Sequence, residues 1–185
     1  MNLQIFDDLL DDKETSHIEN FLRDPKFPWF LSNGFNHYTV DQSIYNKNFL
    51  ESRDECVLLV HTFYLDSLKN SDNYLLSDFI FTKFLERTKI PFEKLVRSKS
   101  NLQLSQMTDK IHTTPHVDSH EKHKVVIYYA NDADGDTFFF NSNLEIIHTV
   151  SPKKGRFIMF DGDILHAAGF NKNSDMRINV NFNFI

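Results

Sequence analysis

Residues 177–185 read RINVNFNFI. Side chains of an extended chain alternate between two faces, so Arg177, Asn179, Asn181 and Asn183 share one side and Ile178, Val180, Phe182 and Phe184 the other. This is the pattern of a β-strand with one polar and one apolar face. The polar face either lines a pocket or meets solvent, and alternation alone serves both. Upstream, the same short-period pattern recurs in NLQLSQM (101–107), KVVIYYA (124–130), DTFFFN (136–141), LEIIHTV (144–150), GRFIMF (155–160) and ILHAAGF (164–170). The turn signals NDADGD, SPKKG and FDGD separate these runs. Regular spacing of short strands predicts an all-β sandwich or small barrel over the C-terminal half, not βαβ units.

The N-terminal half reads as mixed. LQIFDDLL (3–10) suits a short edge strand, and DDKETSHIENFLRD (11–24) starts acidic and puts Ile18, Phe21 and Leu22 on one helical face. SDNYLLSDFIFTKFLERTK (71–89) opens on a Ser-Asp pair, repeats apolar residues three and four apart, and stops before Pro91, which predicts a second helix. The aromatic segment around Trp29, residues 27–38, is either a lid over a groove or packing between the helices and the sheet.

With 185 residues and five each of Gly and Pro, the chain predicts a single domain over 1–185, with no linker or repeat. Residues 1–98 would be the α/β support and 99–185 the β core. Hydrophobic content of 41% is ordinary, and 19 Phe residues are the marked bias. A formal charge of −6 without runs of Lys or Arg gives no footprint for nucleic acid. The lone Cys56 cannot form an internal disulfide, and no long apolar segment suggests a membrane span or a leader, so a reducing cytoplasmic setting is expected.

Residues 113–123, TTPHVDSHEKH, concentrate metal-ligand chemistry. His116 and Asp118 are two apart, and in a strand such residues point the same way about 6.5–7 Å apart along the chain, close enough to converge on one ion. His166, just after the turn FDGD, supplies a third ligand type. Two imidazoles and a carboxylate make the facial triad of non-haem Fe(II) oxygenases. Eleven residues later, Arg177 stands on the polar face of the final strand, where its planar fork suits a carboxylate. A lone H-x-D is equally the mark of a solvated loop; the added His and Arg weigh against that.

The order HVD, LHAAGF, RINVNF resembles the Fe(II)/2-oxoglutarate-dependent oxygenases, particularly their prolyl 4-hydroxylase-like branch, over about residues 100–185. The resemblance implies a mainly β fold with N-terminal helices around a double-stranded β-helix (jelly-roll, cupin-like) core. It implies His116, Asp118 and His166 as iron ligands and Arg177 as the residue holding the distal carboxylate of 2-oxoglutarate. It further implies a Tyr hydroxyl on that carboxylate; Tyr128 and Tyr129 both lie in the matching strand, and Tyr128 is the favoured one. Asn101, Gln103 and Ser105 share a parity and are expected to line the pocket. Asp118 keeps the carboxylate that halogenating relatives lack. The implied activity couples decarboxylation of 2-oxoglutarate, with Fe(II) and O₂ and with ascorbate as a candidate reductant, to hydroxylation of a peptide, protein or small molecule. A cupin-like module that binds metal or a small ligand without redox turnover is the rival, and it has no need of Arg177.

Other polar residues have plainer readings. His112, His120 and His123 fit no tetrahedral zinc spacing and suit a rim, with His120 or His123 within reach of substrate. His148 suits a solvent face or a cross-strand pair, while His17, His37 and His61 have no partner evident in sequence. Asp132, Asp134 and Asp136 alternate like a calcium loop but lack its later ligands, so they read as a turn. Phe79, Phe84 and Leu85 suit helix packing, and Gly155 and Gly162 suit turns.

Overall fold

The computed structural model describes residues 2–32 and 57–185. The elements in chain order are β1 (Leu3–Phe6), α1 (Asp12–Arg23), β2 (Phe30–Leu31), β3 (Leu58–Leu65), β4 (Leu68–Lys69), α2 (Tyr74–Thr88), β5 (Leu95–Leu104), β6 (Lys124–Tyr129), β7 (Thr137–Phe140), β8 (Ile146–Val150), β9 (Phe157–Asp161), β10 (His166–Ala168) and β11 (Met176–Phe184).

Two antiparallel sheets carry the architecture. The larger runs β1-β9-β6-β11-β5-β3-β2, with β4 paired to β3; the smaller runs β10-β7-β8. Bridges His112↔Gly169 and His116↔His166 lay residues 112–116 along the free side of β10. The chain thus crosses between sheets repeatedly, giving the jelly-roll core expected of the C-terminal half. The 98/99 division falls inside β5, and β3 continues the same sheet, so the N-terminal half supplies strands as well as support.

Each strand-like run read from sequence forms a strand. β11 sits at the centre of the large sheet, between β5 and β6, and both of its faces are covered. Ile178, Val180, Phe182 and Phe184 are wholly buried beneath α1 and α2, in a cluster with Ile18, Leu22, Ile80 and Phe84. The rings of Phe81 and Phe182 stack at 5.0 Å, and Phe84 stacks on Phe157 at 5.4 Å. Burying each such side chain contributes about 1.5–3 kcal/mol, and this layer fixes which face of the sheet meets the helices. A second cluster, with Val125, Ile127, Tyr129, Phe139 and Phe160, fills the space between the two sheets.

The helices form for local reasons. Asp11 caps α1 by accepting from the Glu14 N–H at 2.8 Å, while the Glu14 carboxylate accepts from the Asp11 N–H at 3.0 Å, a reciprocal capping box. Ile18 and Leu22 go to the core, whereas Phe21 lies at the edge of that face, 37% exposed and edge-on to Phe27. α2 ends on Lys89 in the left-handed conformation, ahead of Pro91. Its N-cap is Asn73 without a side-chain cap bond, and the expected Ser71 instead accepts from the Asn73 N–H at 3.0 Å.

Within the described part of the aromatic segment, Phe27 and Trp29 are packing. Phe27 is buried, Trp29 lies against it, and the Trp29 indole N–H donates to the Leu22 carbonyl at 3.2 Å. Phe30 and Leu31 are exposed on the edge strand β2; residues 33–38, and with them His37, lie outside the described residues, as does Cys56. No helix among the described residues is long and apolar enough to cross a membrane.

Candidate metal centre

His116 and His166 face each other across an antiparallel bridge, each backbone N–H donating to the other's carbonyl at 3.0 Å. Residues so paired project their side chains to the same side, and here the two rings lie 4.7 Å apart, centre to centre. Asp118, two residues on, joins them. The ligand atoms of His116, Asp118 and His166 all lie within 4.8 Å of one another, the one such group among the described residues.

The surroundings hold each side chain in its ligating form. Nδ1 of His116 lies 3.1 Å from the Thr114 carbonyl and Nδ1 of His166 lies 3.0 Å from that of Ile164. A carbonyl only accepts, so Nδ1 carries the proton and Nε2 keeps its lone pair. Burial, then the neighbouring His166, lowers the His116 pKa to about 4, and burial also lowers that of His166. Both rings are therefore neutral at pH 7. Burial disfavours charge on Asp118, but Arg97, His166 and Lys99 together hold its carboxyl well below the usual range. Arg97 Nη2 lies 2.8 Å from its Oδ1, while the side-chain amides of Asn181 and Asn183 donate to Oδ2 at 3.1 and 2.9 Å.

The polar face of β11 is thus no solvent face. Arg177, Asn179, Asn181 and Asn183 are each at most 6% exposed. They line or border a cavity of about 70 Å³ that the metal triad shares with Lys99, Asn101 and Gln103. Asn101 donates to Asn179 Oδ1 at 2.9 Å, and Arg97 Nε donates to Asn183 Oδ1 at 2.8 Å. Ser105 turns away, exposed, and donates to the Lys172 carbonyl.

Arg177 lies at the other end of this polar face. Its Nη2 donates to Thr137 Oγ1 at 2.9 Å, the same hydroxyl lies 2.7 Å from the Tyr129 hydroxyl, and the guanidinium carbon is 5.5 Å from the centre of the Tyr129 ring. Gly135 allows the close approach of the preceding turn: a Cβ there would meet the Gly169 carbonyl at 2.7 Å and Arg177 Cδ at 3.2 Å.

The tyrosine expectation needs correction. Tyr128 lies on the opposite face, packed on Phe157 among the helix-side apolar residues, with its hydroxyl buried and its pKa raised by that burial. Tyr129 is the one beside Arg177. The pairing explains it: Tyr129 sits opposite Asn179 and Tyr128 opposite Val180, and directly paired residues share a face.

The remaining histidines divide as follows. His120 and His123 line a larger cavity of about 1260 Å³ flanking Val117 and Leu165, next to the triad. The His123 ring lies on Gly162, where a Cβ would come within 2.3 Å of it; this contact, rather than a turn conformation, requires that glycine. Gly155 does serve a turn, at φ +82°. His61 is structural, bridging the Pro28 carbonyl at 2.8 Å and Ser71 Oγ at 2.7 Å. Asp134 accepts N–H bonds from Lys172, Asn173 and Ser174, as a turn residue does.

Neither a protein-family model nor a curated protein matches the sequence. Solved structures do match. An oxidoreductase of the 2OG-Fe(II) oxygenase family from Burkholderia pseudomallei superposes with a TM-score of 0.67 at 12% identity, over 98% of this chain and 84% of the other. The fold is that of the 2OG-Fe(II) oxygenases. A prolyl hydroxylase from Trichoplax adhaerens, in complex with a hypoxia inducible factor peptide fragment, matches at a TM-score of 0.59 and 11% identity, over 99% and 83% of the two chains. The α-ketoglutarate-dependent epimerase SnoN of nogalamycin biosynthesis matches at 0.61 and 14%, over 99% and 77%. One fold thus hosts peptide and small-molecule chemistry, and substrate must be argued from the site.

Proposed function

We propose that this chain is an Fe(II)- and 2-oxoglutarate-dependent dioxygenase that hydroxylates a C–H bond of its substrate. The observation that carries the reading is the convergence of His116, Asp118 and His166 within 4.8 Å on a cavity that also holds a buried Arg177. The donor set fits Fe(II): two neutral imidazoles with Nε2 available, and one ionised carboxylate. Bound there, iron with 2-oxoglutarate and O₂ supplies decarboxylation to succinate and CO₂ coupled to hydroxylation.

The chain's own residues supply the rest. The Thr114 and Ile164 carbonyls fix both imidazole tautomers, and Asn181 and Asn183 orient Asp118. Arg177, with the Thr137 and Tyr129 hydroxyls beside it, is the seat for the distal carboxylate of 2-oxoglutarate. A cupin-like binding module needs the three ligands but not this guanidinium. A prolyl residue of a peptide or protein, or a small molecule, is the substrate in this reading, with ascorbate keeping the iron reduced in a cytoplasmic setting.

The test is anaerobic titration of the Fe(II)-loaded protein with 2-oxoglutarate, watching for the visible metal-to-ligand charge-transfer band. The band is expected in the wild type and absent in His166→Ala. Iron binding without a band would remove the cosubstrate from the reading; no iron binding would remove the metal.

A further inference from the structure

The polar wall of the cavity carries acceptors that no described group serves. Asp118 is ionised and only accepts, so the Asn181 amide must turn its NH₂ to that carboxylate, at 3.1 Å, and its carbonyl oxygen needs another donor. That oxygen is buried, on a residue only 6% exposed, and has no hydrogen-bond partner among the described residues. Asn101 repeats the situation. Its NH₂ donates to Asn179 Oδ1 at 2.9 Å, and its own Oδ1 is buried without a partner among the described residues. Turning both amides over would only exchange the two oxygens, so one carbonyl of this pair is left over either way.

Both residues line the cavity that holds the triad. Along the β5–β11 ladder Asn101 pairs with Asn179 and Lys99 with Asn181, so the two acceptors stand on successive rungs of the cavity face. Asn181 is four residues from Arg177, about 13 Å along the strand, and level with the Asp118 that it holds. Lys99, opposite Asn181, makes no hydrogen bond to its oxygen. Buried carbonyls are nearly always bonded and are destabilising when they are not, so a wall with two such oxygens suits a ligand that donates. The cosubstrate of the reading proposed above does not supply that donor. At neutral pH 2-oxoglutarate carries two carboxylates and a keto group, all of them acceptors.

We propose that Asn181 and Asn101 form a hydrogen-bond acceptor subsite beside the metal, and that the primary substrate presents an N–H or O–H to it next to the reacting carbon. A prolyl ring within a peptide has neither, so the class selected is an N–H-bearing amide or an alcohol. This inference rests on the oxygenase reading for the position of the reacting carbon, and it makes the two asparagines specificity residues distinct from Arg177.

Ligand-observed NMR on the anaerobic protein loaded with Fe(II) and 2-oxoglutarate tests it, with line broadening by the paramagnetic ion marking probes that bind beside the metal. The probes are matched pairs: 2-pyrrolidinone and 2-piperidinone with their N-methyl derivatives, and cyclopentanol with its methyl ether. In the wild type each N–H or O–H probe is expected to bind at least about tenfold more tightly than its methylated partner, which leaves the buried acceptors unpaired. That ratio should fall at least about threefold in N101V and in N181V, and vanish in the double variant. Because it compares two probes on one protein, a general weakening of the site cancels. Equal binding within the pairs by the wild type overturns the proposal, as does a ratio that survives both substitutions. So does a preference among probes that the bound ion does not broaden, which would put them elsewhere. Loss of metal binding in N181V as complete as in His166→Ala overturns it too, because Asn181 would then be a ligand. A preference that needs both asparagines, with iron bound but no charge-transfer band, keeps the subsite and removes the oxygenase reading instead.

Discussion

The two faces of β11 are equally buried and are held by opposite physics. On the helix side, Phe182 and its neighbours lose all contact with water against Phe81 and Phe84, and the stabilisation is proportional to area. On the cavity side, Arg177 and the three asparagines are as fully enclosed, but each buried polar atom must find a partner or lose about 1–3 kcal/mol. The apolar face therefore tolerates a change of shape at constant volume, whereas the polar face specifies particular atoms. Stability resides in the first and ligand chemistry in the second, and substitutions on the two should separate them.

The largest effect is expected from His166→Ala. It removes one of the three side chains proposed to hold the metal while leaving the helix-side core intact, so Fe(II) or Co(II) affinity should fall beyond the roughly 100-fold that losing an outer hydrogen-bond partner costs. Metal titration measures this, and the unfolding midpoint of the metal-free protein should hardly move. Phe182→Ala is the converse. The cavity it leaves should lower unfolding free energy by about 3–5 kcal/mol in urea, with metal affinity of the folded fraction retained. A coupled loss in either variant would break the division between the two faces.

Arg177→Lys keeps the charge but loses the fork. The 2-oxoglutarate affinity should fall about tenfold or more, with Fe(II) binding unchanged, and the charge-transfer titration reads both. The pH dependence of the metal-free protein is a milder probe. An unfolded His titrates near 6.5, but folded His116 resists protonation until about pH 4. Between those values the unfolded state binds the extra proton, so stability rises with pH through the window and is lost as pH falls from 6.5 towards 4. Buried His166, lowered in the same direction, adds to it. Chemical denaturation at a series of pH values, with chelator present, should show this slope.

Much of this was legible in the sequence, because alternation survives wherever one face of a strand is apolar. The triad was legible because HVD and the distal His are unusual residue types at a useful spacing. Arg97 and Lys99 escaped because the segment LVRSKS offers no greasy face to detect: Ser98 and Ser100 face the helices, with Ser98 Oγ 2.6 Å from Ser77 Oγ, and cations face the cavity. The strand therefore begins at Leu95, not near residue 101. β3 escaped because LLVHTFYL is a short apolar run whose period fits neither element cleanly. Thr137 could not be singled out, since its role comes from lying between Arg177 and Tyr129.

Adjacent tyrosines give the finest comparison of the two faces. In β6, Tyr129 points to the cavity and its hydroxyl meets Thr137 at 2.7 Å, while Tyr128 points to the helices and its hydroxyl has no hydrogen-bond partner among the described residues. The same change, removal of one oxygen, should then have opposite signs. Tyr129→Phe forfeits a hydrogen bond worth about 1 kcal/mol and loosens the hydroxyl that Arg177 also uses, so both stability and 2-oxoglutarate affinity should fall slightly. Tyr128→Phe removes an oxygen that is desolvated for no return, so stability should hold or rise by up to about 1 kcal/mol, with cosubstrate affinity unchanged. Denaturant melts of the two variants side by side decide it, and a loss of 2-oxoglutarate affinity confined to Tyr128→Phe would reverse the assignment of the two faces.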